Sequence, residues 1–163
     1  MTTLLAPSAT NRRLTAAGGL IIVGCSRRKL DTTDPVPALR LYQGGCVPQL
    51  REHLAERPDL RARVRILSAE HGLLHPDQPI TPYDHRITST LAARRLGRRV
   101  GPQLDTELAA DSPITDILTI VEPLYLVALT RLFDHLDRIR LTCLPDPRGW
   151  AAAEAVLDDW GWR

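Results

Sequence analysis

Of the 21 lysines and arginines in this chain, only one is lysine, Lys29. Almost all fixed positive charge is therefore guanidinium, which grips phosphate in a bidentate way. The three cysteines, Cys25, Cys46 and Cys143, form no C-x-x-C pair and no Cys/His pattern of zinc spacing. An odd count without secretory spacing points to a reducing cytoplasm. The one histidine pair at i,i+4 spacing, His71 and His75, spans Gly72 in an expected turn rather than a helix, so metal catalysis is not expected. A glycine-rich dinucleotide fingerprint and a P-loop are both missing, and no cofactor is expected. No apolar run approaches the roughly 20 residues of a membrane-spanning helix, and no membrane partner is expected. The net charge is only +2, so no strong whole-molecule field draws the chain to a polyanion. Internal repeats and low-complexity segments are absent, and nothing fixes an oligomeric state.

The 163 residues and 44% apolar content suffice for one domain with a substantial core. Residues 1–17 read as a loose polar leader and 18–163 as a single α/β domain. Leu20-Ile21-Ile22-Val23-Gly24 is a short, β-branched run opened by Gly18-Gly19, and predicts a buried strand. A helix is predicted over Val47–Arg57, ending before Pro58. Val64-Arg65-Ile66-Leu67 predicts a second strand, followed by a Pro-rich loop with Pro76, Pro79 and Pro82. Residues 88–109 predict an amphipathic helix with Leu91, Leu96, Val100, Leu104 and Leu108 inside, broken by Asp111-Ser112-Pro113. Residues 117–121 predict a third strand, Leu124–Leu136 a helix, Arg138–Leu144 a fourth strand, and Gly149–Trp160 a last helix. Strand and helix alternate four times, so the expected fold is a three-layer α/β/α sandwich around a mostly parallel sheet of about four strands.

Each strand is followed at once by a polar, turn-rich cluster: Ser26–Lys29, Ser68–Gly72, Glu122-Pro123 and Pro145–Arg148. In a parallel sheet all four share the carboxyl edge, where open α/β sheets bind ligands. Cys25-Ser26-Arg27-Arg28-Lys29 delivers a thiol, a hydroxyl and three cations there. A rival reading of the same stretch exists. Arg12-Arg13, an apolar segment and Ile22-Val23-Gly24-Cys25 are similar to a bacterial lipoprotein signal, although Thr15 and Gly18-Gly19 dilute the segment.

Cys25-Ser26-x-x-Lys29, Leu41-Tyr42-x-Gly44, Ser68-Ala69-Glu70-His71-Gly72-Leu73 and Pro82-Tyr83-Asp84 together resemble a bacterial and phage family of uncharacterised domains. That family carries S-C-x-x-K, L-Y-x-G, S-A-K-H-G-L and P-Y-D in this order. Here cysteine and serine are transposed, and glutamate replaces the lysine before histidine. The resemblance covers residues 20–90. More distantly the chain resembles the uracil-DNA glycosylase-like fold, an archaeal tRNA-modifying enzyme with a C-S-x-R-K-P turn, and the peroxide-stress protein family. The glycosylase fold implies a parallel four-stranded α/β/α sandwich with a Pro-rich loop near the flipped base. Leu144-Pro145-Asp146-Pro147-Arg148 occupies the corresponding place, a likeness of position only.

The expected function is that of an N-glycosidase-like enzyme acting on a nucleobase–sugar bond, in nucleic acid or in a nucleotide. Such a reaction needs a carboxylate to orient water or stabilise an oxocarbenium-like sugar, a donor for the departing base, and a face to hold it. Asp84 or Glu70 can supply the carboxylate, His71 the donor and Tyr83 the face. Ser26, Arg27, Arg28, Lys29, Tyr42, Tyr83, Glu122 and Asp146 are the expected substrate contacts, with Lys29 and an adjacent arginine on phosphate. Each has a plainer explanation: Glu70 as a solvated side chain, His71 and Asp84 as cap or turn residues, Tyr83 as a core aromatic, Glu122 as a helix-start residue. Cys25 is either a thiol activated by nearby cations or a small buried filler. Arg94, Arg95, Arg98 and Arg99 form a solvated helix face or a phosphate-tracking surface. Trp150 is expected in the core, and Trp160 and Trp162 over an apolar face or a partner. The alternative function is a non-catalytic nucleic-acid or nucleotide binding module in stress response or phage defence.

Overall fold

The computed structural model describes residues 13–163. A 3-10 turn over Ala16–Gly18 leads into β1 (Gly19–Gly24). Then come β2 (Val36–Pro37), α1 (Ala38–Leu41), α2 (Val47–His53), α3 (Pro58–Arg61), β3 (Val64–Ser68), β4 (Gly72–Leu74) and β5 (Pro79–Ile80). The second half contains α4 (Thr90–Glu107), β6 (Asp116–Ile120), α5 (Pro123–Leu126), a 3-10 stretch over Val127–His135, β7 (Arg140–Leu144) and α6 (Trp150–Trp160).

Five strands form one sheet in the order β4-β3-β1-β6-β7. β1 lies at the centre, parallel to β3 on one side (Val23 opposite Ile66) and to β6 on the other (Val23 opposite Ile120). β7 continues the parallel set, with Thr119 opposite Cys143. The four expected strands are therefore parallel, and their carboxyl ends share an edge. The fifth strand was not expected. After β3 the chain reverses at Gly72, whose φ of 75° suits glycine, and β4 returns antiparallel with Ser68 opposite Gly72. A second departure lies in the Pro-rich loop, where Pro79–Ile80 pairs with Val36–Pro37 as a two-residue antiparallel ladder.

The apolar residues of the strands alternate between two clusters. Ile21, Val23, Ile66, Leu118 and Ile120 pack with α1, α2 and α6 through Leu41, Leu50, Ala153 and Leu157. Leu20, Ile22, Leu67 and Ile117 pack with α4 and the 3-10 stretch through Leu96, Val100, Leu104 and Leu129. Each fully buried aliphatic side chain of this kind contributes about 1.5–3 kcal/mol, so the continuous run Leu20–Val23 holds both clusters to the sheet. Trp160 and Trp162 stack edge to face at 5.0 Å and cover the start of β1, where a Cβ on Gly19 would lie 2.5 Å from Trp162. Trp150 is only half-buried, edge-on to His53, with its indole N–H donating to Glu154.

Local corrections follow from packing. Leu91, expected inside, is 54% exposed, because the buried stripe of α4 runs through Ala93, Leu96, Val100 and Leu104. The helix expected to reach Arg57 stops at His53, and a new turn begins at Pro58. The single helix expected over 124–136 is one α-helical turn followed by 3-10 geometry. Of the expected leader, residues 1–12 lie outside the described residues. Leu14 and Ala16 pack on the core, and the Leu14 N–H donates to the Trp160 carbonyl. The signal-sequence reading overlaps Arg12, also outside the described residues; processing at Cys25 would remove β1, the central strand. Among the described residues no helix is long and apolar enough to cross a membrane.

Candidate functional site

Counting the parallel strands alone, the spatial order is 2-1-3-4, with β1 beside β6. The chain leaves β1 toward β3 on one side and leaves β6 toward β7 on the other. The carboxyl ends of β1 and β6 thus flank a topological switch point, where open α/β sheets form a ligand crevice. A cleft of ≈ 600 Å³ opens there. The segment after β1 lines it with Cys25, Ser26, Arg27, Arg28 and Lys29, and the segment after β6 with Glu122 and Tyr125. His85 and Arg86 enter from the Pro-rich loop, and Arg148 from the loop after β7. Four arginines and Lys29 thus meet a single lining carboxylate, Glu122. A smaller hollow of ≈ 400 Å³ shares Arg27 and Lys29 with the cleft and adds Asp31, Thr32, Pro82, Tyr83 and Asp84.

The turn after β1 is tightly built. Ser26 donates its hydroxyl to the Arg28 carbonyl at 2.7 Å and accepts the Gly44 N–H at 3.1 Å. A Cβ on Gly44 would lie 2.9 Å from the Ser26 Cβ, and one on Gly45, at φ 61°, would lie 3.1 Å from the Pro147 carbonyl oxygen. Two glycines thus let the 43–45 turn fit between the loops that follow β1 and β7. Backbone pairing of Lys29 with Tyr42 completes the frame.

Beside this turn runs a chain of hydroxyls. The Tyr83 hydroxyl lies 2.6 Å from both the Tyr42 hydroxyl and Ser68 Oγ. Ser68 Oγ already accepts the N–H groups of Glu70 (3.2 Å) and His71 (3.0 Å). With both lone pairs used, the serine donates its proton to Tyr83. Burial pushes the Tyr42 phenol up to about 12 and raises Tyr83 as well. Lys29 Nζ stands 4.5 Å over the Tyr83 ring, and the His71 ring meets Tyr83 edge-on at 5.1 Å. Burial lowers the Lys29 pKa, and Arg86 lowers it further, against opposing contributions from Cys25 and Asp84. On the cleft floor, Tyr125 accepts the Ile87 N–H at 3.1 Å and lies 4.0 Å from Cys25 Sγ. Its phenol is raised to about 12, chiefly by burial.

The expected site residues divide by location. Ser26, Arg27, Arg28, Lys29 and Glu122 line the cleft, and Tyr83 and Asp84 line the adjoining hollow. Tyr42 is fully buried and supports Tyr83 from behind. His71 lines neither space and touches Tyr83. Glu70 is exposed, with Oε2 2.7 Å from His85 Nδ1 and its carbonyl held by Arg99 at 2.6 Å. Asp146 shapes the loop after β7, where Oδ1 accepts the Arg148 N–H at 2.9 Å. Of the three residues expected to converge, Asp84 lines the hollow while Glu70 and His71 line neither space; Glu70 pairs with His85 and His71 packs on Tyr83, the two residues that flank Asp84. His85, Arg86, Arg148 and Tyr125 were not named as site residues. For Arg148 the signal was its position after a parallel strand; for His85 and Arg86 it was adjacency to Tyr83-Asp84. Arg94, Arg95 and Arg98 project from the exposed face of α4. Among the described residues no group of three or more His, Cys, Asp and Glu side chains is placed to hold a metal ion.

No curated protein and no solved structure matches the chain. A family model does match residues 20–132, which takes in β1 to β6, the turn carrying Lys29 and both Glu122 and Tyr125. By that match over more than half its length, the chain belongs to a family of unknown function, DUF6884.

Proposed function

We propose that the chain is an N-glycosidase-like enzyme whose cleft holds a phosphate-bearing nucleotide unit, free or within nucleic acid. One observation carries this reading: four arginines, Lys29 and a single carboxylate line one cleft at the switch point of a parallel sheet. Guanidinium groups fit phosphate in a bidentate way. Glu122 can face the sugar and stabilise positive charge developing at C1′, and Asp84 offers a second carboxylate in the adjoining hollow. His85, half-exposed at the rim, is available as a proton donor to a departing base. Helices packed against both faces of the sheet support the three-layer α/β/α description, and with it the likeness to the glycosylase-like fold. The test is incubation with modified and unmodified nucleotides and nucleic acids, reading free base by mass spectrometry. Base release that falls with Glu122→Gln or Asp84→Asn supports the reading. Release unaffected by either variant overturns the assignment of these carboxylates, and no release from any substrate overturns the enzyme.

A second reading has its own support. Glu70 is engaged with His85, and His71 lies behind Tyr83, so two of the expected catalytic groups are away from the cleft. A binding module needs the cations and no carboxylate. Nucleotide binding without base release is its signature.

A further inference from the structure

We propose that Lys29 is a nucleophilic amine that forms an imine with the aldehydic C1 carbon of a pentose phosphate at the boundary of the cleft and the hollow. The identity of the sugar rests on the nucleotide reading above; the reactivity of the amine does not.

Lys29 is the only lysine in a chain that otherwise uses arginine for fixed positive charge. A guanidinium is never deprotonated in a protein and cannot act as this nucleophile, whereas an amine can. Among the described residues Lys29 makes no ion pair with a carboxylate. Its one hydrogen bond is a long one, 3.4 Å to the Arg27 carbonyl two residues back. The amine is nonetheless fixed. The backbone bridge to Tyr42 anchors its stem, and Nζ sits 4.5 Å from the Tyr83 ring centroid and 5.9 Å from that of Tyr42. Tyr83 is itself held by Ser68 and Tyr42. Lys29 and Arg27 line both spaces, so a ligand with phosphate among the arginines of the cleft can present its sugar carbon to this amine. Burial is the largest influence on the amine and favours its neutral, nucleophilic form; Cys25 and Asp84 oppose it and Arg86 adds to it, and the net direction is downward.

The chemistry closes without an oxidant or reductant. The Nζ lone pair bonds to the aldehyde carbon while the carbonyl π pair moves to oxygen, giving a carbinolamine. The two amine protons and the carbonyl oxygen then leave as water, and a C=N bond remains. Hydrolysis reverses the sequence and restores the amine. The open-chain sugar left by loss of a base supplies such an aldehyde.

The test uses the full chain with 2-deoxyribose 5-phosphate, or with an oligodeoxynucleotide containing an abasic site, in the presence of cyanoborohydride, which reduces an imine to a stable secondary amine. Peptide mapping should find one adduct, on Lys29. Inorganic phosphate should suppress it, and Lys29→Arg should abolish it while leaving the thermal melt unchanged. An adduct confined to the α-amine, or one that persists in Lys29→Arg, overturns the proposal. A second arm needs no ligand affinity: reductive methylation with formaldehyde at pH 8 should modify Lys29 faster than it modifies free Nα-acetyl-lysine amide. Slower modification overturns the proposal whatever the substrate. Base release, measured separately, keeps the two readings apart. Release with no Lys29 adduct rejects the imine and leaves the N-glycosidase reading standing; a Lys29 adduct with no release does the reverse.

Discussion

Tyr83→Phe removes one oxygen and leaves the ring on which Lys29 rests. In the native chain that oxygen bonds both the Tyr42 hydroxyl and Ser68 Oγ at 2.6 Å. Each neutral hydrogen bond contributes a net of about 1 kcal/mol, and a buried polar group stranded without its partner costs about 1–3 kcal/mol. Tyr42 is fully buried, so its hydroxyl cannot turn to solvent. Ser68 is equally buried but keeps its two amide donors. The expected loss is therefore about 2–3 kcal/mol. For a chain of this length that corresponds to a fall in Tm of about 5–10 °C. Urea unfolding followed by tryptophan fluorescence is the assay, and the midpoint should fall with the slope unchanged. Ser68→Ala should be costly too, and the double variant should lose less than the sum, by more than about 0.5 kcal/mol. A loss below about 0.5 kcal/mol in Tyr83→Phe, within the range of an ordinary surface change, would refute the hydroxyl chain as a structural brace of the Lys29 wall.

Three further outcomes follow from the same geometry. The chain has three tyrosines, and the phenols of all three are raised from 10.0, Tyr42 and Tyr125 to about 12. A raised folded-state pKa gives stability that is fully present below pH 10 and lost as pH climbs toward the folded values. Tyrosinate absorbance should therefore appear together with loss of fold above pH 10, and a separate ionisation in the folded protein near pH 10 would contradict this. Gly44→Ala places a methyl group 2.9 Å from the Ser26 Cβ, and the resulting overpacking should cost about 1–3 kcal/mol, read by the same urea assay; a neutral result would mean that the turn after β1 gives way. Arg148→Ala should weaken nucleotide binding and reduce its salt dependence by about one phosphate contact, whereas an unchanged salt slope removes Arg148 from the phosphate site.

Much of the architecture could be read from the chain because period and composition agreed. The runs around Ile21, Ile66, Leu118 and Leu141 are short, apolar and bounded by turn residues, so strands and parallel order emerged together. What escaped was set by tertiary context. β4 is three residues long, and its existence depends on the positive φ of Gly72 and on Ser68 capping the turn, neither of which has a periodicity. Leu91 kept its place in the helical count, but the buried stripe passes beside it. At the site, proximity to a strand end placed Ser26–Lys29 and Glu122 at the carboxyl edge of the sheet, because the sheet fixes those positions. Glu70, His71 and Asp84 lie in a hairpin turn and a long loop, where side-chain direction follows hydrogen bonds such as Glu70 to His85. The partnership of Tyr83 with Tyr42, residues 41 apart in sequence, depends on a loop path that the prolines stiffen but do not encode.

The claim most in need of measurement is that the arginine-lined cleft recognises phosphate on a nucleotide. Titration calorimetry of the protein with a panel of nucleoside 5′-monophosphates and their parent nucleosides, at two salt concentrations, tests it directly. At least one monophosphate should bind more tightly than its nucleoside by about tenfold or more, a difference of about 1.4 kcal/mol. That advantage should shrink as salt rises and fall in Arg148→Ala. Equal affinity for every nucleoside and its monophosphate, or no binding of any of them, would contradict it.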